Sequence, residues 1–100
     1  MSADYTNDAQ QRILKLVLVM FGDVVTGYQS SVLAQAVGVS ASTMHRDLDN
    51  LATAGIAQRD EFTGLWRLTP RLPQQTLKVW TAIDRAEQRI AEAKSRFTKG

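Results

Sequence analysis

The chain has 100 residues and a mass of 11.1 kDa, enough for one small domain with a thin hydrophobic core. Its 44% hydrophobic and 22% charged residues are typical of a folded globular protein and argue against intrinsic disorder. With no cysteine and one histidine, the sequence excludes disulfide scaffolds, cysteine zinc sites and thiol catalysis, while the net charge of +2 is compatible with a nucleic-acid partner.

The first predicted element is a helix that begins at a cap among Thr6, Asn7 and Asp8 and extends to Phe21. Apolar residues surround almost the whole circumference of its second half, which is typical of a helix buried on several sides. In so small a chain, we expect either the C-terminal helix or a second chain to cover part of that surface.

Two shorter helices are predicted after a glycine-containing loop. The first of them spans 32–37 behind a cap at Ser30 or Ser31, and Gly38 ends it. Its predicted inward residues are Leu33, Ala36 and Val37. The next helix begins after a cap at Ser40 and runs to residue 54, where Gly55 ends it. Two helices joined by a short turn that contains glycine have the proportions of a helix-turn-helix unit.

The second helix of this unit has a predicted buried stripe and a polar outer face. The stripe is formed by Met44, Leu48 and Leu51. In a helix-turn-helix, the N-terminal half of this helix enters the major groove of DNA, where donors reach phosphates and base edges. The predicted contacts on this helix are Ser40, Ser42, Thr43, His45, Arg46 and Asn50. The alternative is a merely solvated face.

Two of these side chains have distinct chemistry. Arg46 can make a bidentate contact with guanine. His45 is interpreted as a polar contact near the DNA backbone or as a half-exposed packing residue, and these two interpretations stay open. No second histidine, cysteine or suitably spaced carboxylate accompanies it, so a metal-binding or catalytic role is disfavoured.

Two short stretches, 56–60 and 65–69, are predicted to form a β-hairpin around a turn that contains Gly64. We expect the aromatic residues Phe62 and Trp66 to be buried, since aromatic side chains usually supply the core of a small domain. The prolines at 70 and 73 end the hairpin because they cannot continue a strand ladder.

The last predicted element is a helix from Gln74 to Phe97. Its apolar residues repeat with spacings of 4, 3, 4, 3 and 4, as a heptad seam does: Val79, Ile83, Ala86, Ile90, Ala93 and Phe97. The seam predicts dimerisation through residues 73–100, with Trp80 covering the first helix of its own or a partner subunit. Basic side chains outside the seam leave a second DNA-contacting surface as the alternative.

The segments 33–40 (LAQAVGVS) and 42–48 (STMHRDL), with Leu51 and Gly55, resemble the winged helix-turn-helix of bacterial transcriptional regulators. The string STMHR is similar to the recognition helix of the IclR type. MHRDLDNL resembles the DeoR type, which usually has a second arginine where His45 stands. The segment WRLTP at 66–70 resembles the second wing strand of IclR-like or MarR-like domains.

The resemblance implies that the hairpin is a wing, and we expect its tip to lie along the DNA backbone or in the minor groove. The negative potential of that groove favours arginine. The predicted DNA contacts in the wing are therefore Arg59, Thr63 and Arg67. Asp60 and Glu61 beside the tip would repel phosphate, so a hairpin that only closes the core is the alternative.

Together, these patterns predict a mainly α fold with a small β-hairpin wing: a winged helix-turn-helix over residues 1–72, followed by a long C-terminal dimerisation helix. We expect a sequence-specific double-stranded DNA-binding protein, a small transcriptional regulator that acts as a homodimer. Since only residues 73–100 follow the wing, no small-molecule effector is implied. The alternative is a winged-helix protein–protein interaction module, which the zero net charge of residues 40–72 supports.

Three further expectations concern what the chain lacks. No catalytic constellation is visible, and we expect neither enzymatic activity nor a cofactor or metal. No apolar run approaches the roughly 20 residues that span a bilayer. The first five residues are not the basic start of a secretory signal, so we expect a cytoplasmic, nucleoid-associated protein.

Overall fold

The computed structural model describes residues 5–99, in which four helices and one two-stranded hairpin follow each other along the chain. The helices are α1 (Asp8–Met20), α2 (Ser30–Val37), α3 (Ala41–Thr53) and α4 (Arg71–Thr98). The strands are β1 (Ala57–Arg59) and β2 (Trp66–Leu68), which pair antiparallel between α3 and α4. The predicted helices and hairpin are confirmed. Of the predicted segments 1–72 and 73–100, the outer limits at residues 1 and 100 lie outside the described residues.

The core lies where α1, α2 and α3 meet the hairpin. Its buried side chains come from all five of these elements: Leu16, Met20, Leu33, Ala34, Met44, Leu48, Leu51, Ala57, Trp66 and Leu68. The positions from α3 are separated by four and three residues, so they form the one-sided stripe that the sequence predicts. Ala57 pairs with Leu68 across the hairpin, and both side chains are buried beneath it.

The buried face of α2 differs from the prediction. Leu33 is buried as expected, but Ala36 is exposed, Val37 is half-buried, and Ala34 takes the second buried position. The reason is that α2 packs against both α1 and α3. Two adjacent residues, about 100° apart on the helix, can each face one of these neighbours.

The helix ends agree with the predicted caps except at the start of α2. Asn7 caps α1 by accepting from the backbone N–H of Gln10 (3.0 Å). The prediction of a serine cap for α2 was wrong, because Gln29 occupies that position without a side-chain hydrogen bond. Gly38 ends α2 in the left-handed conformation (φ 80°), and its N–H donates to the carbonyl of Ala34 (2.8 Å).

The loop before α2 joins the hairpin through a feature that the sequence did not predict. Tyr28 forms an isolated antiparallel bridge to Trp66, with both N–H···O distances at 2.8 Å. Gly27 makes this approach possible, since a Cβ there would clash with the carbonyl oxygen of Trp66. The bridge holds β2 against the helical part of the domain.

The C-terminal helix α4 begins at Arg71, three residues earlier than predicted. Pro73 lies within its first turn, where the missing backbone N–H would have had no helical partner. Leu72 packs against the core, and no residue of α4 is buried. The radius of gyration is 19.9 Å, whereas a compact chain of this length has about 13 Å, so α4 extends away from the domain.

No helix within residues 5–99 is both long and apolar enough to cross a membrane.

Candidate nucleic-acid interface

The N-terminal half of α3 exposes a continuous polar face. Ser40 caps the start of this helix: its Oγ accepts from the backbone N–H of Thr43 (3.2 Å) and donates to the Thr43 hydroxyl (3.0 Å). The Ser42 hydroxyl lies 3.3 Å from the Ser40 hydroxyl and is exposed. Ser40 and Thr43 therefore order the start of the helix, where Ser40 and Ser42 are exposed and Thr43 is half-buried.

Farther along the same face lie the side chains with the longest reach. Arg46 and His45 are exposed, and within residues 5–99 neither makes an ion pair or a side-chain hydrogen bond. Asn50 is also exposed, and its amide donates to the carbonyl oxygen of Arg46 (2.9 Å). The structure thus brings Ser42, His45, Arg46 and Asn50 together on one surface, with a guanidinium that no described carboxylate engages.

On the buried side of α3, an ion pair that the sequence patterns did not predict joins this helix to α1. Asp47 is only 4% exposed, and both of its carboxylate oxygens accept from Arg12 of α1, at 2.5 Å from Nε and 2.9 Å from Nη2. The bidentate geometry locks α3 against α1. Asp47 lies about 60° from Met44 on a helical wheel, on the apolar side of α3. A charged side chain at such a position requires a partner, and this pattern could have revealed the ion pair from the sequence.

At the other end of the candidate surface, the wing turn is held by Asp60. Its Oδ1 accepts from the backbone N–H groups of Phe62 (2.8 Å) and Thr63 (2.9 Å), and its Oδ2 accepts from Arg67 Nη1 (2.9 Å). The Arg67 guanidinium and these two N–H groups hold the pKa of Asp60 well below its usual range. The carboxylate of Asp60 is therefore stabilised in its ionised form, and its charge is compensated by Arg67 inside the wing.

The two wing arginines consequently differ. Arg67 is half-buried in its pair with Asp60. Arg59 is exposed, and its guanidinium lies over Gly64 near the tip without an ion pair among the described residues. Arg59 and the exposed Thr63 are thus available to a ligand, whereas Arg67 supports the hairpin.

The two aromatic residues of the hairpin have opposite positions. Trp66 is 8% exposed and belongs to the core, which confirms that prediction. The prediction for Phe62 was wrong, because this side chain is 97% exposed. Trp66 lies within β2, where alternation directs it inward, while Phe62 lies in the turn between the strands, where no pleat directs a side chain to the core.

The predicted seam of α4 is present on one side of the helix and lacks a partner in the described chain. Val79, Ile83, Ile90 and Phe97 are exposed, with Ala86 and Ala93 half-buried between them. Helix α1 also leaves two large apolar side chains exposed, Leu14 and Leu18, the latter 71% exposed. Trp80 is 63% exposed, so the alternative in which it covers α1 of its own chain is wrong, because α4 extends away from the domain. Coverage of α1 by a partner subunit stays a prediction.

Comparisons with known proteins place this geometry among winged-helix domains. No protein-family model matches the chain, and no curated protein matches it. Among solved structures, the chain is similar to the ORF112 Zalpha domain of Cyprinid herpesvirus 3, described in its binding mode to Z-DNA. That match has a TM-score of 0.54 and 20% identity, and it covers 60% of this chain and 95% of that one.

The chain is also similar to HmgR of Pseudomonas aeruginosa, with a TM-score of 0.59 and 25% identity over 76% of this chain. The match spans only 29% of the length of HmgR. Both neighbours are winged-helix domains in the matched region. The predicted fold class is confirmed: the chain has a mainly helical winged-helix fold with a small two-stranded antiparallel wing.

Proposed function

We propose that this protein binds double-stranded DNA sequence-specifically and acts as a small homodimeric transcriptional regulator. The observation that carries the proposal is the exposed polar face of α3, with Arg46 unpaired among the described residues at its centre. In a helix-turn-helix, this is the surface that enters the major groove. One structural neighbour supports it, the Zalpha domain that is described in its binding mode to Z-DNA.

The distribution of charge supports the same proposal once internal pairs are considered. Residues 40–72 have no net charge, but Asp47 is paired with Arg12 and Asp60 with Arg67. The charges of this segment outside those pairs are three arginines (46, 59 and 71) against two carboxylates (49 and 61). The surface offered to a phosphate backbone is therefore more basic than the sequence total indicates.

The mechanism is occupancy of a DNA site. One α3 helix of a dimer would lie in each of two successive major grooves, about 34 Å apart or a multiple of that distance. Bound there, the protein would exclude or recruit RNA polymerase, and no catalytic group is needed. Enrichment of bound duplexes from a random DNA library tests the proposal, since a palindromic consensus is expected and recovery of no preferred sequence would contradict it.

Arg46→Ala is expected to weaken binding to the selected site by about 1–3 kcal/mol and to relax the preference at one base pair in each half-site. The reason is the loss of a bidentate donor that contacts a base edge. Binding to a panel of single-base variants of the site measures both effects. Thr53→Ala, an exposed change at the far end of α3, is the control. Equal profiles for wild type and Arg46→Ala would contradict the assignment of α3.

A protein–protein interaction module is the second candidate, favoured by the exposed apolar seam of α4. Salt dependence separates the two functions. Each neutralised phosphate contributes about 0.9 to the slope of log affinity against log salt, so Arg59→Ala in a dimer is expected to reduce the slope by about 1.8. Arg85→Ala on α4 is the matched control and should leave the slope unchanged.

Two outcomes of that titration would revise the proposal. A reduced slope with Arg85→Ala but not with Arg59→Ala would assign DNA contact to the basic face of α4 instead of the wing. An absence of duplex binding at low salt would favour the interaction module.

A further inference from the structure

Phe62 is the most exposed large apolar side chain within residues 5–99. It projects from the turn between β1 and β2, while Trp66 of the same hairpin is buried in the core. An aromatic ring on the surface of a small domain gives up burial that the fold could use. The contacts assigned to α3 and to Arg59 do not account for it.

The backbone that carries the ring is fixed by a dense set of hydrogen bonds. Besides accepting from the N–H groups of Phe62 and Thr63, Asp60 accepts from the N–H of Gly64 through its carbonyl oxygen (2.9 Å). The Thr63 hydroxyl accepts from the N–H of Leu65 (3.2 Å). The ring is therefore presented on an ordered turn, and insertion into a ligand would cost little backbone entropy.

The wing tip also holds one cation that can face a polyanion whose interior is apolar. The Arg59 guanidinium lies over Gly64 at the tip, and the carboxylate of Asp60 is neutralised by Arg67. Glu61 is the one carboxylate of the tip without a partner among the described residues. A cation and an exposed ring on the same turn match the minor groove, where negative potential attracts arginine and where apolar side chains enter between base pairs.

We propose that Phe62 is a wedge that inserts between adjacent base pairs from the minor groove and kinks the duplex toward the major groove. This inference rests on the proposed function, because the wing reaches the minor groove only if α3 docks on DNA. Pyrimidine–purine steps such as TA and CA unstack most easily, so the wedge selects such a step at a position that α3 does not contact. Phe62 thereby adds sequence preference through DNA deformation.

The test measures the shape of the DNA as well as affinity. A duplex carrying the selected site is labelled with a fluorescent donor and acceptor at its ends, and 2-aminopurine replaces adenine at the expected step. Wild type is expected to shorten the end-to-end distance, with a kink of about 20–90°, and to raise 2-aminopurine fluorescence. Phe62→Ala is expected to lose both signals and to bind about tenfold more weakly.

Two further variants control this result. Phe62→Leu keeps an apolar wedge and should retain most of the kink, whereas Val25→Ala removes another exposed apolar side chain and should behave as wild type. Since both positions are exposed, the melting temperatures should stay close to that of wild type.

The outcomes distinguish the wedge from the proposed function. Sequence-specific binding with equal distortion by wild type and Phe62→Ala would overturn the wedge and leave the proposed function intact. A change of oligomeric state in Phe62→Ala would assign the ring to a protein contact and would also overturn the wedge. Failure of wild type to bind any duplex would overturn both.

Discussion

Ile90→Glu is expected to convert a dimer into a monomer and to weaken binding to a two-half-site operator by about 100-fold or more. Ile90 lies in the middle of the α4 seam and is 58% exposed in the single chain. In a helix-paired dimer this side chain would be buried against the partner, where an unpaired carboxylate is strongly unfavourable. In the dimer, binding of one subunit holds the other subunit close to the second half-site. A monomer lacks this advantage, because each half-site is then bound independently.

The geometry of α4 is the reason to expect a dimer. The helix has 28 residues and is therefore about 42 Å long, yet it packs on its own domain only near its beginning, through Leu72. Its seam, left open, would be a contiguous apolar surface of a kind that monomers rarely keep exposed. The small side chains of Ala86 and Ala93 let a second helix approach closely between the larger residues of the seam.

Light scattering and operator binding of wild type and Ile90→Glu test this prediction. Gln88→Glu is a matched control, because it adds the same charge about 180° away from the seam on an exposed position. Since α4 makes few contacts with the domain, Ile90→Glu should leave the melting of the winged helix itself unchanged. A monomeric wild type, or an Ile90→Glu variant that stays dimeric, would contradict dimerisation through this seam.

Arg12→Ala is expected to lower the melting temperature by about 10 °C, because it leaves the Asp47 carboxylate buried without a partner. Asp47→Ala should have a smaller effect, about half as large. The Arg12 side chain is 24% exposed and can turn its guanidinium toward water when the carboxylate is removed. The asymmetry between the two variants is the specific consequence of a pair that is buried at only one end.

Thermal unfolding of the two single variants and of the double variant measures this coupling. The double variant Arg12→Ala with Asp47→Ala should be less destabilised than the sum of the single effects, since no buried charge remains. Lys15→Ala, one turn farther along α1, removes an exposed cation that has no ion pair among the described residues, and it should change the melting temperature little. Additive effects of the two single changes would contradict the proposed coupling.

The order and type of the helices and strands follow from local patterns in the sequence. Helix periodicity, the cap at Ser40 and the stop at Gly38 depend on residues within about four positions of each other, so they are present in the sequence pattern. For α1 the sequence offers three candidate caps, of which the structure uses Asn7. The same holds for the stripe on α3 and for the seam on α4, because each is a repeat along one helix. The polar face of α3, and with it the candidate DNA contacts Ser42, His45 and Arg46, followed from that stripe.

Which polar and aromatic side chains remain available to a ligand depends on contacts between residues that are distant in the sequence. Arg12 and Asp47 are 35 residues apart, and only the packing of α1 against α3 brings them together. Arg67 and Arg59 are both wing arginines in the sequence, but the pairing of β1 with β2 and the turn at Asp60 engage only Arg67 with a carboxylate. Phe62 is exposed for a related reason: its burial depends on where the hairpin turns relative to the core, which no local pattern specifies.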